Sequence, residues 1–241
     1  MNRFYVDIPL SLNATVMLPE NVFHHWVRVL RAQTGEQAVL FNGQGGEYRA
    51  TLAEIQKKTA SVHLQYFDPE DRAPSYQVTL GQVMSKGDRM DYAIQKATEL
   101  GVHAIQLLVS ERCEMRLKYE RDQKKIEHWQ QVAIAACEQC GLNRIPSILP
   151  PLSLQDWFSQ LKPTDGRKLV LAPSRQPVRF EAPFPSSLYL LVGPEGGLSQ
   201  AEIELANTND FECWTIGERV LRTETAPVVA MSALLFAYSA R

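Results

Sequence analysis

The chain has 241 residues, long enough for one large domain or two modest ones, and its 45% hydrophobic content is ordinary for a globular protein. The net charge is -2, and residues 1–72 carry seven Lys/Arg against eight Asp/Glu, so a polyanionic partner has to be met by local basic patches. The longest apolar-rich run, Ala226 to Tyr238, is too short to cross a bilayer, and Asp7 and Pro9 interrupt any signal-peptide core, so a soluble cytoplasmic protein is expected. Cys113, Cys137, Cys140 and Cys213 make no disulfide framework. C-E-Q-C at 137–140 lacks the second pair that a zinc site needs, so reduced structural cysteines and no metal are expected.

The first 70 or so residues are β-rich. FYVDI, AVLFNG, EYRATLAEI and SVHLQYF are short, β-favoured and separated by turn signals. One helix interrupts them, predicted to be capped by Asn21 and ended by Gly35, with Val22, Trp26, Val29 and Leu30 on its apolar face. NGQGG at 42–46 reads as a hairpin turn. The segment DPEDRAPS, 68–75, is charged, carries two prolines and reads as a linker, placing a boundary between residues 1–72 and 73–241.

Beyond it the pattern changes to alternating strands and helices. QVTLGQVMS is a strand, DRMDYAIQKATELG a helix capped by Asp88, AIQLLVS a strand, and Tyr119 to Cys140 a long helix. KLVLAP, LYLLVGP and FECWTIG are apolar on both faces, and a last helix covers Ala226 to Ser239. Strands apolar throughout and alternating with helices indicate a parallel α/β sheet. In such a sheet ligands gather beyond the carboxyl ends of the strands. Three strands end there in unusual loops: Leu171-Ala172-Pro173, Gly193-Pro194-Glu195-Gly196-Gly197, and Ile216 to Pro227. The glycine turn matches neither G-x-x-x-x-G-K-[ST] nor G-x-G-x-x-G.

LLVGPEGGLSQAEI followed by IGERVLRTETAPVVAMSALL resembles the C-terminal core of the SPOUT methyltransferases, and within them the bacterial 16S ribosomal RNA uridine N3-methyltransferases. HHWVRVLR, GQVMSKGDRMDYAIQKATELGV, SERCEMR and AIAACEQCGLNRIP are similar to that family's segments, in its order; Glu218 stands where a proline is expected. The resemblance implies an α/β fold whose C-terminal parallel-sheet domain carries a deep trefoil knot, plus a small N-terminal PUA-like β-barrel that helps hold RNA. It implies a homodimer, S-adenosyl-L-methionine as cofactor, and 16S ribosomal RNA of the small subunit as substrate, with no membrane partner. The cofactor would meet Leu171, Val192, Gly193, Pro194, Glu195, Gly196, Gly197, Ile216, Gly217, Val220, Leu221 and Thr225.

Methylation of uracil N3 spreads negative charge to O2 and O4 as the proton leaves, which a cation can stabilise. Arg222 is the first choice for that role. Glu224 is the nearest carboxylate to take the proton, with Glu138 as the alternative; Glu224 could instead hold Arg222, and Glu138 with Arg144 could be a dimer-interface pair. For RNA the candidates are Arg28 and Arg31 on one helix face with His24 and His25 one turn earlier, a second patch of Lys86, Arg89, Arg112, Arg116 and Lys118, and Arg144. A related enzyme acting on ribose 2′-O, and a non-catalytic RNA-binding factor, are the competing readings.

Overall fold

The computed structural model describes residues 1–114, 119–162, 166–174, 176–181 and 185–239, so Arg116 and Lys118 lie outside the described residues. By their contacts the residues divide into two units, Met1–Ala73 with Ile134–Ile145, and Pro74–Ala133 with Pro146–Arg241. The return of residues 134–145 to the first unit has no signal in the sequence, where 134–140 continue one long helical pattern.

In the first unit, β1 (Asn2–Tyr5), β2 (Thr15–Met17), β3 (Gln37–Phe41), β4 (Glu47–Ile55) and β5 (Ala60–Asp68) form one sheet in the order β1-β3-β4-β5-β2. Alternation drives it: Ala50 and Leu52 on β4 and Val62 and Leu64 on β5 turn inward to join Phe4, Leu40 and Trp26. The 42–46 turn joins β3 to its antiparallel neighbour β4 as a hairpin. Gly46 sits there at φ 73°, where a Cβ would lie 2.6 Å from the Phe67 ring.

The interrupting helix departs from expectation. The α1 turn (Glu20–Val22) follows Pro19 with no side-chain cap, opens into a π-helical stretch at Phe23–Val29, and stops at Leu30, before Gly35. The Leu30 N–H reaches back five residues to the His25 carbonyl at 3.0 Å. The wider turn buries Phe23, Trp26 and Val27 and leaves Val29 and Leu30 exposed, so the apolar face differs from the one the 3.6-residue period implied.

The second unit holds β6 (Gln77–Val83), α2 (Asp88–Glu99), β7 (Ala104–Val109), α3 (Tyr119–Cys140, in this unit as far as Ala133), β8 (Ser147–Ser153), α4 (Leu154–Gln160), β9 (Arg167–Leu171), β10 (Ser187–Val192), α5 (Gln200–Thr208), β11 (Phe211–Trp214) and α6 (Thr225–Ser239). Its six strands run parallel in the order β11-β9-β10-β6-β7-β8. Both faces are covered, as an all-parallel sheet requires. Leu80, Ile105, Leu169 and Leu190 pack with Ile94 of α2 and Met231 and Leu234 of α6. Val83, Leu108, Val170 and Leu191 pack on the other face with Trp157, Phe158 and Phe211. The Trp157 ring lies over Gly81, where a Cβ would come within 2.4 Å of it.

Strand β8 and helix α4 have no counterpart among the predicted elements. Pro150 and Pro151 disguise β8, which is tolerated because it is an edge strand. Ser153 then caps α4, its Oγ accepting the Asp156 N–H at 3.0 Å. Helix α2 is capped by Gly87 at φ 66°, with Asp88 its first residue rather than its cap. Among the described residues no helix is long and apolar enough to cross a membrane.

Candidate active site

Strands β11, β9 and β10 are neighbours in the sheet, so their three carboxyl-end loops converge. Between them lies a cavity of about 410 Å³, within the ~300–1,000 Å³ range of small-molecule sites. Leu171, Val192, Trp214, Ile216 and Leu221 give it apolar walls; Glu218 and Arg219 bring charge of both signs.

The loops are cross-tied by threonine hydroxyls, one buried and one exposed. Thr223 Oγ1 donates to the Gly193 carbonyl at 2.7 Å and accepts from Gln82 Nε2 at 3.2 Å, joining β6, the glycine turn and the last loop. Thr215 Oγ1 accepts the Ser174 N–H at 2.6 Å, tying the loops after β9 and β11. Thr225 is the first residue of α6. The glycines serve the turn itself as well as its neighbours. A Cβ on Gly193 would sit 3.0 Å from Leu198 Cγ and 3.1 Å from Leu198 N, and Gly197 has φ 67°. A capping box between Ser199 and Glu202 then starts α5 at once.

Charges ring the loops. Arg222 is exposed, lies between cavity-lining Leu221 and Thr223, and makes no side-chain hydrogen bond or ion pair with any described residue. Its carbonyl accepts the N–H groups of Thr225 and Ala226, both at 2.9 Å, and so starts α6. Arg89 Nη1 bonds Glu195 at 2.5 Å and its Nε is 3.9 Å from Glu224 Oε2. Arg112 donates to the Gly196 carbonyl at 3.0 Å, and Lys86 pairs with Glu114 at 2.9 Å. The Lys86 ammonium beside it holds the Glu114 carboxyl below its ordinary range.

A family model described as an RNA methyltransferase domain matches residues 71–235, and one described as an RNA methyltransferase PUA domain matches residues 18–65. The chain belongs to the RNA methyltransferase family. It is 33% identical to ribosomal RNA small subunit methyltransferase E of Buchnera aphidicola subsp. Schizaphis graminum, over 96% of this chain and 94% of that one. It is 30% identical to the protein of that name from Bacillus subtilis, over 98% and 96%. The crystal structure of ribosomal RNA small subunit methyltransferase E from Neisseria gonorrhoeae, bound to S-adenosyl methionine, superposes with a TM-score of 0.91. It is 38% identical to this chain, over 98% of this chain and 97% of that one.

In this RNA methyltransferase, Leu171, Val192, Gly193, Pro194, Gly197, Ile216, Gly217, Val220 and Leu221 line the cavity. Glu195, Gly196 and Thr225 do not: Glu195 turns to Arg89, the Gly196 carbonyl to Arg112, and Thr225 opens α6. Sequence reasoning passed over Thr223, Trp214 and Leu198, which line the cavity, and Gln82 beneath it. Gln82 is a polar residue inside an apolar strand, a signal visible in VTLGQV.

The remaining candidates lie in the first unit. Arg28 stacks over Phe23 at 5.3 Å and donates to the Lys57 carbonyl, His25 meets the edge of Phe4 at 5.6 Å, and Arg31 is exposed at φ 57°. Arg144 is clamped to Asp71 at 2.6 Å, and Glu138 accepts the Tyr5 N–H at 2.9 Å, so within one chain each of the two has another partner. Burial outweighs that N–H and the nearby His25 and Arg3, and pushes the Glu138 carboxyl above its ordinary range. A raised carboxyl favours the fold in its protonated form, and that contribution is lost as pH rises through the folded value. Glu138→Gln keeps the acceptor for Tyr5 without the buried charge. Urea unfolding is expected to show the variant at least as stable as the wild type at pH 8, with any advantage gone at acid pH.

Proposed function

We propose that this chain transfers a methyl group from S-adenosyl-L-methionine to N3 of a uridine in 16S ribosomal RNA, on the small subunit in the cytoplasm, with the loops around the cavity forming a knotted core. The observation that carries this reading is Arg222, a cation unpaired among the described residues and placed between two residues of the cavity wall, in a chain similar over nearly its full length to ribosomal RNA small subunit methyltransferase E.

The cavity fits the cofactor chemically. Its apolar walls suit the adenosine moiety, and Glu218 and Arg219 complement the ammonium and carboxylate of the methionyl end. When bound, the cofactor supplies an electrophilic methyl group on a sulfonium, and the protein supplies position and electrostatics. Arg222 faces the oxygen that gains charge as N3 loses its proton, and Glu224 takes that proton, held in place by Arg89. Lys86, Arg112 and the exposed His25, Arg28 and Arg31 provide RNA contacts, and Arg144 braces the first unit through Asp71. A homodimer is supported by α6, which is apolar along its length and leaves Phe236 79% exposed.

The test is methyl transfer to unmodified small subunits followed by nucleoside mass spectrometry. N3-methyluridine is expected. A different methylated nucleoside retains the enzyme class and discards the target, and no transfer with no cofactor binding leaves a knotted RNA-binding factor.

A further inference from the structure

In the second unit the buried side-chain polar atoms without a hydrogen-bond partner among the described residues gather at one end of the sheet. They are Gln82 Oε1, Ser85 Oγ, Ser110 Oγ and Glu224 Oε2. None of these residues lines the cavity described above. Gln82 is 1% exposed, Ser85 2% and the Glu224 side chain 15%. Burying a polar group without a partner costs stability, so such groups are rare unless something else satisfies them.

Local contacts tie together the segments that carry these four residues. Gln82, next to last in β6, reaches Thr223, the neighbour of Glu224, at 3.2 Å. Ser85 follows β6 and precedes Arg89, whose Nε stands 3.9 Å from Glu224. Met84 N donates to the Leu108 carbonyl at 2.9 Å, and Cys113 Sγ to the Met84 carbonyl at 3.2 Å, which closes the turn containing Ser110 over the end of β6. The orientation of the Gln82 amide is determined by its neighbours. Thr223 gives its single hydroxyl proton to Gly193, so it can only accept from Nε2, and the other Nε2–H goes to the Val83 carbonyl at 3.1 Å. Oε1 is therefore an acceptor left without a donor.

We propose that this cluster is the subsite for the target base, distinct from the cofactor cavity and adjoining it through Thr223. The inference rests on the uridine reading above and deepens it. Uracil presents two carbonyl acceptors on either side of one N–H donor. The Ser85 and Ser110 hydroxyls meet the carbonyls, and the acceptors Glu224 Oε2 and Gln82 Oε1 meet the N3–H and a ribose hydroxyl. Cytosine carries a lone pair at N3, which the Glu224 carboxylate repels, so the same cluster selects uracil. Lys86, Arg89 and Arg112 stand at its rim, where a flipped-out nucleotide brings phosphates.

The test is Ser85→Ala and Ser110→Ala in the full chain, with three readouts. Each variant is expected to lower kcat/KM for small subunits by about tenfold or more, to bind S-adenosylmethionine by calorimetric titration within about twofold of wild type, and to keep or raise Tm. The last readout separates the roles: removing a structural hydroxyl lowers Tm, whereas removing one that waits for a ligand does not. Unchanged kcat/KM in both variants, a lowered Tm, or cofactor affinity lost in step with activity overturns the proposal. If the wild-type product is another methylated nucleoside, the uridine reading fails on that result alone, and the two variants still decide whether this cluster holds the base.

Discussion

Arg222→Ala is expected to lower kcat for methyl transfer about 10²–10³-fold, the loss seen when one preorganised donor to a developing oxyanion is removed. The affinity for S-adenosylmethionine is expected to stay within about twofold of wild type. The two halves of this expectation come from the same geometry. The Arg222 side chain is exposed and does not form part of the cavity wall, so removing it leaves the cofactor's surroundings intact. It is also unengaged by any described residue, so it spends no charge on an ion pair before substrate arrives, unlike Arg89 and Lys86. Its backbone carbonyl, which starts α6, is retained in the alanine variant. Single-turnover kinetics with small subunits, alongside calorimetric titration of the cofactor, checks both halves. A variant that loses cofactor binding would assign Arg222 to the cavity rather than to the transition state.

Thr223→Val is expected to act in the opposite way, on cofactor binding. It removes the hydroxyl that ties Gln82 to the Gly193 carbonyl and replaces it with a methyl group of similar size. The Gly193 carbonyl and one Gln82 N–H are left without partners in the interior. An unsatisfied buried group costs about 1–3 kcal/mol, and where the cost of the Gly193 carbonyl falls on the loop that forms the cavity it appears as about 5- to 150-fold weaker binding of S-adenosylmethionine. Tm is expected to fall as well. Thr223→Ser restores the hydroxyl and is expected to return affinity to near the wild-type value, which a merely steric role for Thr223 would not produce. Wild-type affinity in Thr223→Val would show that the glycine turn holds its shape without the tie.

Much of this architecture was legible in the chain because its cause is local. Apolar runs separated by helical periods specify a parallel sheet, since only strands buried on both faces read that way, and β6, β7, β9, β10 and β11 follow. Alternation along β4 and β5 specifies a sheet with one buried face. The three unusual strand ends pointed to the cavity because in a parallel sheet the carboxyl ends share one edge. Where local signals misled, the cause was tertiary. The helix at 20–30 was read with a 3.6-residue period, but packing Phe23, Trp26 and Val27 against the sheet draws it into a π-helical turn. Strand β8 was hidden by two prolines that only an edge position tolerates.

The sequence by itself determined the two kinds of sheet, the glycine turn between strand and helix, and the family to which the chain belongs. These depend on residue type and spacing along the chain. The tertiary structure alone decided which side chains face one another across it. It placed Glu195 on Arg89 rather than in the cavity, and within one chain it gave Arg144 to Asp71 and Glu138 to the Tyr5 N–H. It also put Thr223 between Gln82 and Gly193, residues 141 and 30 positions away in the chain. It also left Ser85, Ser110 and Glu224, on three different loops, with buried polar atoms that have no hydrogen-bond partner among the described residues. Pairings of that kind depend on strand order and on where the loops cross, and no periodicity along the chain encodes the distance between two side chains that the fold brings together.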